Sequence, residues 1–201
     1  TFVIHGQERF GLVIQHSKKG VDWIFDPALT ETKLRLYSSK MTSPLVNQQP
    51  RFLTTWPQEL VCFLELGQDG MQALQRLEAY LKRFLAQSDE AVLIGAGFPL
   101  DTVKLRPPIP RPRLFFGLVQ NSPTFIRNNP NRLTANVYPQ GHQRPQGSLL
   151  GPGDPVIVTP EMTGFNWTPE PGVIIGKRGK DIAVTEVKNF IAGYTLVMDL
   201  V

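Results

Sequence analysis

The chain has 201 residues, of which 41% are hydrophobic and 19% charged, and it carries a formal charge of +4. This size allows one domain or two small ones with a real core, and no apolar run approaches the roughly 20 residues of a membrane-spanning helix. The basic residues are scattered, which disfavours nucleic acid as a partner, and no signal peptide opens the chain; we therefore expect a cytoplasmic protein that binds neither nucleic acid nor a membrane.

The first 27 residues alternate between apolar and polar positions, which predicts short strands separated by glycine turns. His5 and His16 fall in these strands, where we expect solvent-facing or structural positions rather than metal ligation. Residues 30–49 are polar and poorly periodic, and they predict a loop.

Two helices are predicted next. The stretch "WPQELVCFLELG" indicates a short helix ended by Gly67. The following stretch "DGMQALQRLEAYLKRFLAQSD" predicts a longer amphipathic helix, in which Glu78 and Lys82 form an i,i+4 pair. Its apolar stripe consists of Met71, Leu74, Leu77, Leu81, Phe84 and Leu85. A stripe of this width is expected to pack on its own domain rather than on a partner helix.

Cys62 is the single cysteine, which excludes an internal disulfide and a cysteine-based metal cluster. Because its neighbours are apolar, we expect a buried and unreactive thiol.

The segment "KLRPPIPRPRLFFGLVQNSP" is rich in proline, which prevents helix formation and stiffens the backbone. A ligand for an SH3-type module is one interpretation. A linker leading into a strand at "RLFFGLV" is the favoured one. We place a domain boundary near residue 106, with a small α+β domain at 1–105 and a second domain at 106–201.

The second segment is rich in glycine, proline and short strands, including "GSLLGPGDPVIVTP". Only "TEVKNFI" indicates a helix, with Thr185 as N-cap. "GKRGKD" predicts a hairpin turn in which Gly179 supplies a positive φ. The long loop at 121–146 contains His142 and is expected to line a site. The whole chain is thus predicted to be α+β and β-rich.

Asp199 stands among apolar residues in "YTLVMDLV", a pattern that predicts a buried strand. A buried carboxylate without a partner is costly. Metal ligation, an ion pair or a change in protonation would each relieve that cost. The sequence contains no phosphate-binding loop, dinucleotide fingerprint, HExxH or G-x-S-x-G motif.

Four stretches in this order resemble the fumarylacetoacetate hydrolase family. They are "RPPIPRPRLFFGL", "RPQGSLLGPGDPVIVTP", "EPGVIIGKRGKDI" and "FIAGYTLVMDLV". The resemblance implies metal-dependent chemistry on a mixed β-roll catalytic domain preceded by a small N-terminal domain. It also implies that the family's domain continues beyond Val201, so that a half-roll with unpaired sheet edges is expected here.

The resemblance implies a divalent ion, usually Mg²⁺ and alternatively Mn²⁺ or Ca²⁺. In the family an E-x-E pair and a later aspartate hold this ion. Glu170 falls on the second glutamate of that pair and Asp199 on the aspartate. Thr168 stands at the first glutamate, which should weaken metal binding because a hydroxyl is a neutral ligand.

The resemblance also places a catalytic histidine after the proline-rich entry, yet "GLVQNSPTFIRNNP" contains none. His142 or Glu161 is the candidate to replace this acid/base group or a ligand. Arg144 stands where the family commonly has a lysine, and its fork geometry suits a substrate carboxylate.

Two functions follow from this resemblance. One is an enzyme that hydrolyses, decarboxylates or tautomerises a small oxo-acid with Mg²⁺. The alternative is a non-catalytic relative that serves as a binding or oligomerisation module, favoured by Thr168 and the missing histidine. The resemblance implies a homodimer in either case.

Overall fold

The structure is a computed structural model and describes residues 1–16, 20–40, 51–87, 90–119, 121–128 and 140–200. Within these ranges the chain forms four α-helices, ten strands and several short 3₁₀ segments. This confirms the predicted α+β class. The β-roll and the boundary at residue 106 stay predictions.

The strands are β1 (Phe2–Ile4), β2 (Gln7–Arg9), β3 (Leu12–His16), β4 (Val21–Phe25), β5 (Gly97–Pro99), β6 (Lys104–Leu105), β7 (Phe116–Val119), β8 (Gln140–Gln143), β9 (Trp167–Ile175) and β10 (Ile191–Leu200). The helices are α1 (Pro27–Lys40), α2 (Leu60–Leu64), α3 (Gly67–Gln87) and α4 (Pro123–Asn128).

All named strands of the described chain pair antiparallel, in four small sheets. Their orders are β2-β1-β6, β3-β4-β5, β7-β8 and β9-β10. His5 and Gly6 connect β1 to β2 with φ angles of 47° and 76°. Two positive φ angles in a two-residue connection are those of a tight hairpin turn, so the strands predicted at the start of the chain are confirmed. His5 is exposed in this turn rather than in a strand, and the side chain of His16 lies outside the described residues.

Helix α1 replaces the loop predicted from residue 30, so that prediction is wrong for residues 30–40; residues 41–49 lie outside the described ranges. The Leu29 backbone N–H donates to the Asp26 carboxylate at 3.0 Å, an N-cap contact, and Pro27 occupies the first helical position. Leu34 is 1% exposed on the core side. The capping pair Asp26-Pro27 is a start signal that outweighs the weak periodicity after it.

The amphipathic helix is confirmed as α3, and its Glu78–Lys82 ion pair forms at 2.6 Å. Four members of the predicted stripe are buried, namely Leu77, Leu81, Phe84 and Leu85. Met71, at the other end of the stripe, is exposed. The four buried members of the stripe belong to one core cluster with Phe10, Ile14, Phe25, Leu34, Phe52, Trp56, Phe63 and Leu93. The predicted short helix exists as α2 but ends at Leu64, and Gly67, with φ 60°, opens α3.

Cys62 is exposed, so the predicted burial of its thiol is wrong. Its neighbour Phe63 is 2% exposed and stacks on Phe10. Helix α2 buries Phe63 and packs Leu60 and Leu64 partly against the core, whereas Cys62 projects to another face of the helix.

A buried carboxylate fixes the segment before α2. Glu31 of α1 is 5% exposed and accepts a hydrogen bond from Trp56 Nε1 at 2.7 Å. The backbone N–H of Phe52 donates to the same carboxylate oxygen at 3.4 Å. These contacts hold the segment against α1, and the Arg76 guanidinium of α3 donates to the Phe52 carbonyl at 3.1 Å. A polar contact therefore lies inside the core, and the sequence pattern does not reveal it.

The proline-rich segment leads into β7, as the linker interpretation predicts, but charged contacts hold it to its surroundings. The Arg106 backbone N–H donates to the Thr1 carbonyl at 3.0 Å. The Arg106 guanidinium lies 3.5 Å from Glu8 and 3.2 Å from Asp154. Lys104 and Arg111 complete the network, at 2.8 Å from Asp154 and 2.6 Å from Glu8.

The strand predicted in "GSLLGPGDPVIVTP" does not form. Residues 149–166 are irregular apart from isolated turns, and Ile157 is 81% exposed. A strand needs a partner to satisfy its backbone groups, and none of the described segments runs beside this one.

The connection between β9 and β10 is longer than the predicted hairpin turn. The helix predicted in this connection forms as a 3₁₀ helix, Val184–Phe190, but its N-cap is Ala183 rather than Thr185. The positive φ in this connection belongs to Asp181, at 54°, and not to Gly179. Gly179 is needed for another reason: a Cβ there would lie 2.5 Å from the ring of Phe190.

Candidate functional site

The pairing of β9 with β10 brings three predicted metal ligands to one end of a two-stranded ribbon. Asp199 lies directly opposite Thr168, and Val197 lies opposite Glu170. Opposed residues of an antiparallel pair project to the same face, and diagonal neighbours lie about 7–8 Å apart. Thr168, Glu170 and Asp199 therefore share one face, with Asp199 facing Thr168 and diagonal to Glu170.

The other face of the ribbon is apolar and open, so the prediction that Asp199 lies in a buried strand is wrong. Tyr194, Leu196 and Met198 on that face are 70%, 89% and 55% exposed. The Asp199 side chain lies on the opposite face and is only 14% exposed. Side-chain exposure alternates along β10 because only one face of the strand is covered.

Arg144 covers Asp199. Its guanidinium Nη2 donates to Asp199 Oδ2, and the Arg144 side chain is 21% exposed. Metal ligation, an ion pair or a change in protonation was expected to offset the cost of burying the Asp199 carboxylate. The structure contains the ion pair. Arg144 was predicted to pair with a substrate carboxylate, and the structure shows it paired with a carboxylate of the chain.

The β7–β8 ribbon carries Arg144 to this position. The Arg144 backbone N–H donates to the Phe115 carbonyl at 2.7 Å, which extends the ladder beyond β8. Gly117 of β7 lies opposite His142 of β8. A Cβ at Gly117 would lie 2.9 Å from Arg144 Nε and 3.2 Å from His142 Cε1. Both side chains therefore pass over Gly117, with His142 exposed and Arg144 half-buried.

Gly172 lies on the face that carries Thr168, Glu170 and Asp199, called the ligand face below, where there is no room for a side chain. It lies opposite Thr195 on the same face as Glu170, and a Cβ there would lie 2.8 Å from Thr195 Cγ2 and 2.9 Å from Val197 Cγ2. The Thr195 and Val197 side chains of β10 thus occupy the space next to Gly172, and their contact with this glycine packs this half of the ribbon.

Glu161, the other candidate for the acid/base role, stands in the irregular segment before β9 and is exposed. The side chain of Thr159 hydrogen-bonds to it and lowers the pKa of the Glu161 carboxyl. Its contacts thus belong to its own turn, whereas His142 and Arg144 both extend over Gly117. Residues 129–139 of the predicted site loop lie outside the described ranges.

The donor set at this face suits a hard divalent ion. Glu170 and Asp199 offer carboxylate oxygens and Thr168 a hydroxyl. Mg²⁺ is usually held by one or two carboxylates and keeps several waters. In the part of the chain that the structure describes, no three His, Cys, Asp or Glu side chains gather as a metal site. Any ion here would therefore depend on two carboxylates, one of which is already paired with Arg144.

Gly117 is the residue of this site that the sequence patterns missed. A glycine inside a predicted apolar strand, as in "FFGLV", indicates a close approach by another group. That signal stands in the sequence, but the group that approaches, Arg144, is identified only by the pairing of β7 with β8.

A sequence model of the family described as "Fumarylacetoacetate (FAA) hydrolase C-terminal" matches residues 115–201. These residues include both ribbons and all of the site residues just described. The predicted resemblance is therefore confirmed for residues 115–201, which are similar to the C-terminal domain of the fumarylacetoacetate hydrolase family.

Curated relatives agree with this placement at low identity. The rat mitochondrial oxaloacetate tautomerase Fahd2a is 28% identical over 72% of this chain and 41% of its own length. The human mitochondrial oxaloacetate tautomerase FAHD2A is 22% identical over 98% of this chain and 60% of its own length. A local match of 38% identity to human FAHD2B covers 26% of this chain and 17% of that protein. The chain thus spans 41% to 60% of the two longer matches.

These relatives support an enzymatic role at the level of the family, whose enzymes generally depend on a divalent metal. Both long matches are to mitochondrial proteins, so the cytoplasmic location of this chain stays a prediction. None of the helices in the described ranges has the length and apolarity needed to cross a membrane.

Proposed function

We propose that this chain acts, with Mg²⁺, in the keto–enol tautomerisation of a small oxo-acid. Hydrolysis and decarboxylation belong to the same class of metal-assisted reactions, and the names of the relatives favour tautomerisation. The observation that supports the proposal is the register of β9 and β10, in which Thr168, Glu170 and Asp199 share one face, together with the Arg144–Asp199 ion pair on that face.

Each residue has a role that follows from its position. Glu170, Asp199 and Thr168 would hold the ion, which would polarise the substrate's oxygens when bound. Arg144 would bind the substrate carboxylate through its planar fork. His142 is exposed beside Arg144 and would exchange a proton with the substrate.

Tautomerisation requires the protein to bind the oxo-acid and to move one proton. A C–H bond breaks at the carbon next to the keto group, and an O–H bond forms at the keto oxygen. The base must therefore reach a carbon one bond away from the carbonyl while the carboxylate is held. His142 and Arg144, side by side over Gly117, meet this requirement with one group for the proton and one for the carboxylate.

The test follows the enol-to-keto conversion of oxaloacetate by its ultraviolet absorbance, with and without Mg²⁺. Glu170→Gln and Asp199→Asn should each lower the Mg²⁺-dependent rate at least about tenfold, because each removes a charged ligand. Glu65→Gln, at an exposed glutamate of the first region and outside the site, is the matched control, and its rate should equal that of the wild type. Rates unaffected by Glu170→Gln and by Mg²⁺ would refute the proposal.

The second candidate is a non-catalytic binding or oligomerisation module. Two observations favour it: Thr168 stands where the family has a glutamate, and Arg144 pairs with one of the two carboxylates. Calorimetric titration of the wild type with Mg²⁺ separates the two functions. No saturable Mg²⁺ binding, together with no acceleration of oxaloacetate tautomerisation, would favour the module. In both cases a homodimer is proposed, which sedimentation tests directly.

A further inference from the structure

We infer that Arg144 is an internal counter-ion that competes with the metal for Asp199, so that an oxo-acid and the metal bind cooperatively. The inference rests on the metal site of the proposed function and adds a coupling between its two ligands. An incoming carboxylate draws the guanidinium from Asp199, and Asp199 is then free to bind the cation.

The ion pair lies in a sheltered place, where charges interact strongly. The side chains of Arg144 and Asp199 are 21% and 14% exposed. A guanidinium on Asp199 neutralises one of the two carboxylates on the ligand face. A divalent ion placed beside this pair meets one positive charge and only one unpaired carboxylate, Glu170. Like charges at such short range repel by more than they would in bulk water.

The guanidinium can exchange partners without rearranging the fold. The Arg144 backbone is fixed by its hydrogen bond to the Phe115 carbonyl, so any movement belongs to the side chain. That side chain passes over Gly117, where the missing Cβ leaves a path. Exposed His142 flanks it, so solvent and a small anion reach this side of the guanidinium. A substrate carboxylate offers the same two oxygens as Asp199.

The exchange makes the two binding events reciprocal. If an oxo-acid removes a competitor of the metal, the metal must improve oxo-acid binding by the same factor. Couplings of this kind are typically about 5–150-fold in affinity. Removing the guanidinium by mutation should therefore tighten metal binding, which is the opposite of what loss of a purely structural residue does.

Isothermal calorimetry tests the coupling without any turnover. Mg²⁺ is titrated into wild type, Arg144→Gln and Arg144→Lys, with and without oxamate, an unreactive analogue of a small oxo-acid. Arg144→Gln should bind Mg²⁺ about fivefold or more tighter than the wild type and should lose the effect of oxamate. Arg144→Lys should retain part of that effect, because it keeps a charge without the planar fork. The exposed Arg113, changed to Gln, is the control for net charge.

A second variant protects the test against misfolding of the first. A Cβ at Gly117 would press on Arg144 Nε at 2.9 Å, so Gly117→Ala should displace the guanidinium and tighten Mg²⁺ binding in the same direction, by a smaller factor. Gly147→Ala is its control, because no atom lies within 4 Å of a Cβ there.

The outcomes separate the two claims. Saturable Mg²⁺ binding that Arg144→Gln leaves unchanged or weakens overturns the coupling and leaves the proposed metal site standing. Absence of Mg²⁺ binding in every variant overturns both.

Discussion

Two regions of the described chain are stabilised in different ways. Before residue 106, side chains from β3, β4 and all three helices of that region form one core, and Phe2, Phe25, Leu77 and Leu81 are at most 1% exposed. After Pro107, none of the described side chains is buried. The later residues form two ribbons, β7–β8 and β9–β10, held by backbone pairing and by the Arg144–Asp199 ion pair.

The contrast shows that the residues expected to carry chemistry lie in the region where the described side chains form no buried core. In the first region apolar side chains fix the backbone. In the second region the backbone is fixed by strand pairing and by the Arg144–Asp199 ion pair. Each functional side chain is therefore positioned by a strand partner rather than by packing in a core. Three pairs of variants and one single variant, compared with the wild type at different pH values, test this contrast.

The largest effect is expected from the same truncation made once in each region. Leu81 is fully buried and Leu196 is 89% exposed. Leu81→Ala should lower the free energy of unfolding by about 2–5 kcal/mol, because it removes buried contacts and leaves a cavity. Leu196→Ala should change it by less than about 0.5 kcal/mol. Urea denaturation followed by circular dichroism measures both, and equal losses would contradict the contrast.

A smaller loss is expected from the polar contact inside the first region. Glu31→Ala should cost about 2–3 kcal/mol, because it leaves Trp56 Nε1 and the Phe52 N–H without their acceptor. Glu78→Ala removes a glutamate of the exposed i,i+4 pair on α3 and should cost about 0.5 kcal/mol or less. Tryptophan fluorescence should shift in the Glu31 variant only, and a shift in neither would show that Trp56 is held by its ring contacts alone.

Within the β9–β10 ribbon, two glycines differ in the space around them. Gly172→Ala would place a Cβ 2.8 Å from Thr195, whereas a Cβ at Gly193 meets nothing within 4 Å. Overpacking on the ligand face should cost about 1–2 kcal/mol in Gly172→Ala, and little in Gly193→Ala. Hydrogen exchange of β10 amides reports the local loss. Equal exchange in the two variants would mean that the face is not packed.

The smallest effect concerns the charges that join the two regions. Lys104 and the Gly151 N–H hydrogen-bond to Asp154 and lower the pKa of its carboxyl below the usual 3.8. Because the folded pKa is the lower one, these contacts stabilise the fold above pH 3.8, and the stabilisation disappears as the pH falls through the folded pKa. Asp154→Asn should therefore be less stable than wild type at pH 7, and the difference should shrink as the pH falls below 3.8. A difference that is constant with pH would contradict this origin.

Much of the first region could be predicted from the sequence because its elements are local. The stripe on α3 and the turn at Gly6 are visible in short windows of residues. Helix α1 was missed because its periodicity is weak, although Asp26 and Pro27 marked its start. The position of Glu31 could not be predicted, since its partner Trp56 stands 25 residues away.

The site followed from the sequence only in its list of residues. The resemblance to the family supplied Glu170, Asp199 and Arg144 as candidates. Their arrangement depends on pairing between β9 and β10, and on Arg144 crossing from one ribbon to another over 55 residues of chain. No local pattern encodes such a contact. The prediction of a buried strand around Asp199 failed because only the face that carries Asp199 is sheltered, while the opposite face is open to solvent.

The exposure of Cys62 has a practical consequence. A single accessible thiol accepts one dye or spin label at one known position, next to the stacked rings of Phe63, Phe10 and Trp56. The label would sit on the cored region and far along the chain from both ribbons. It would therefore report melting of the first region by itself, while an amide signal from β10 reports the second, and the order in which the two regions unfold becomes directly observable.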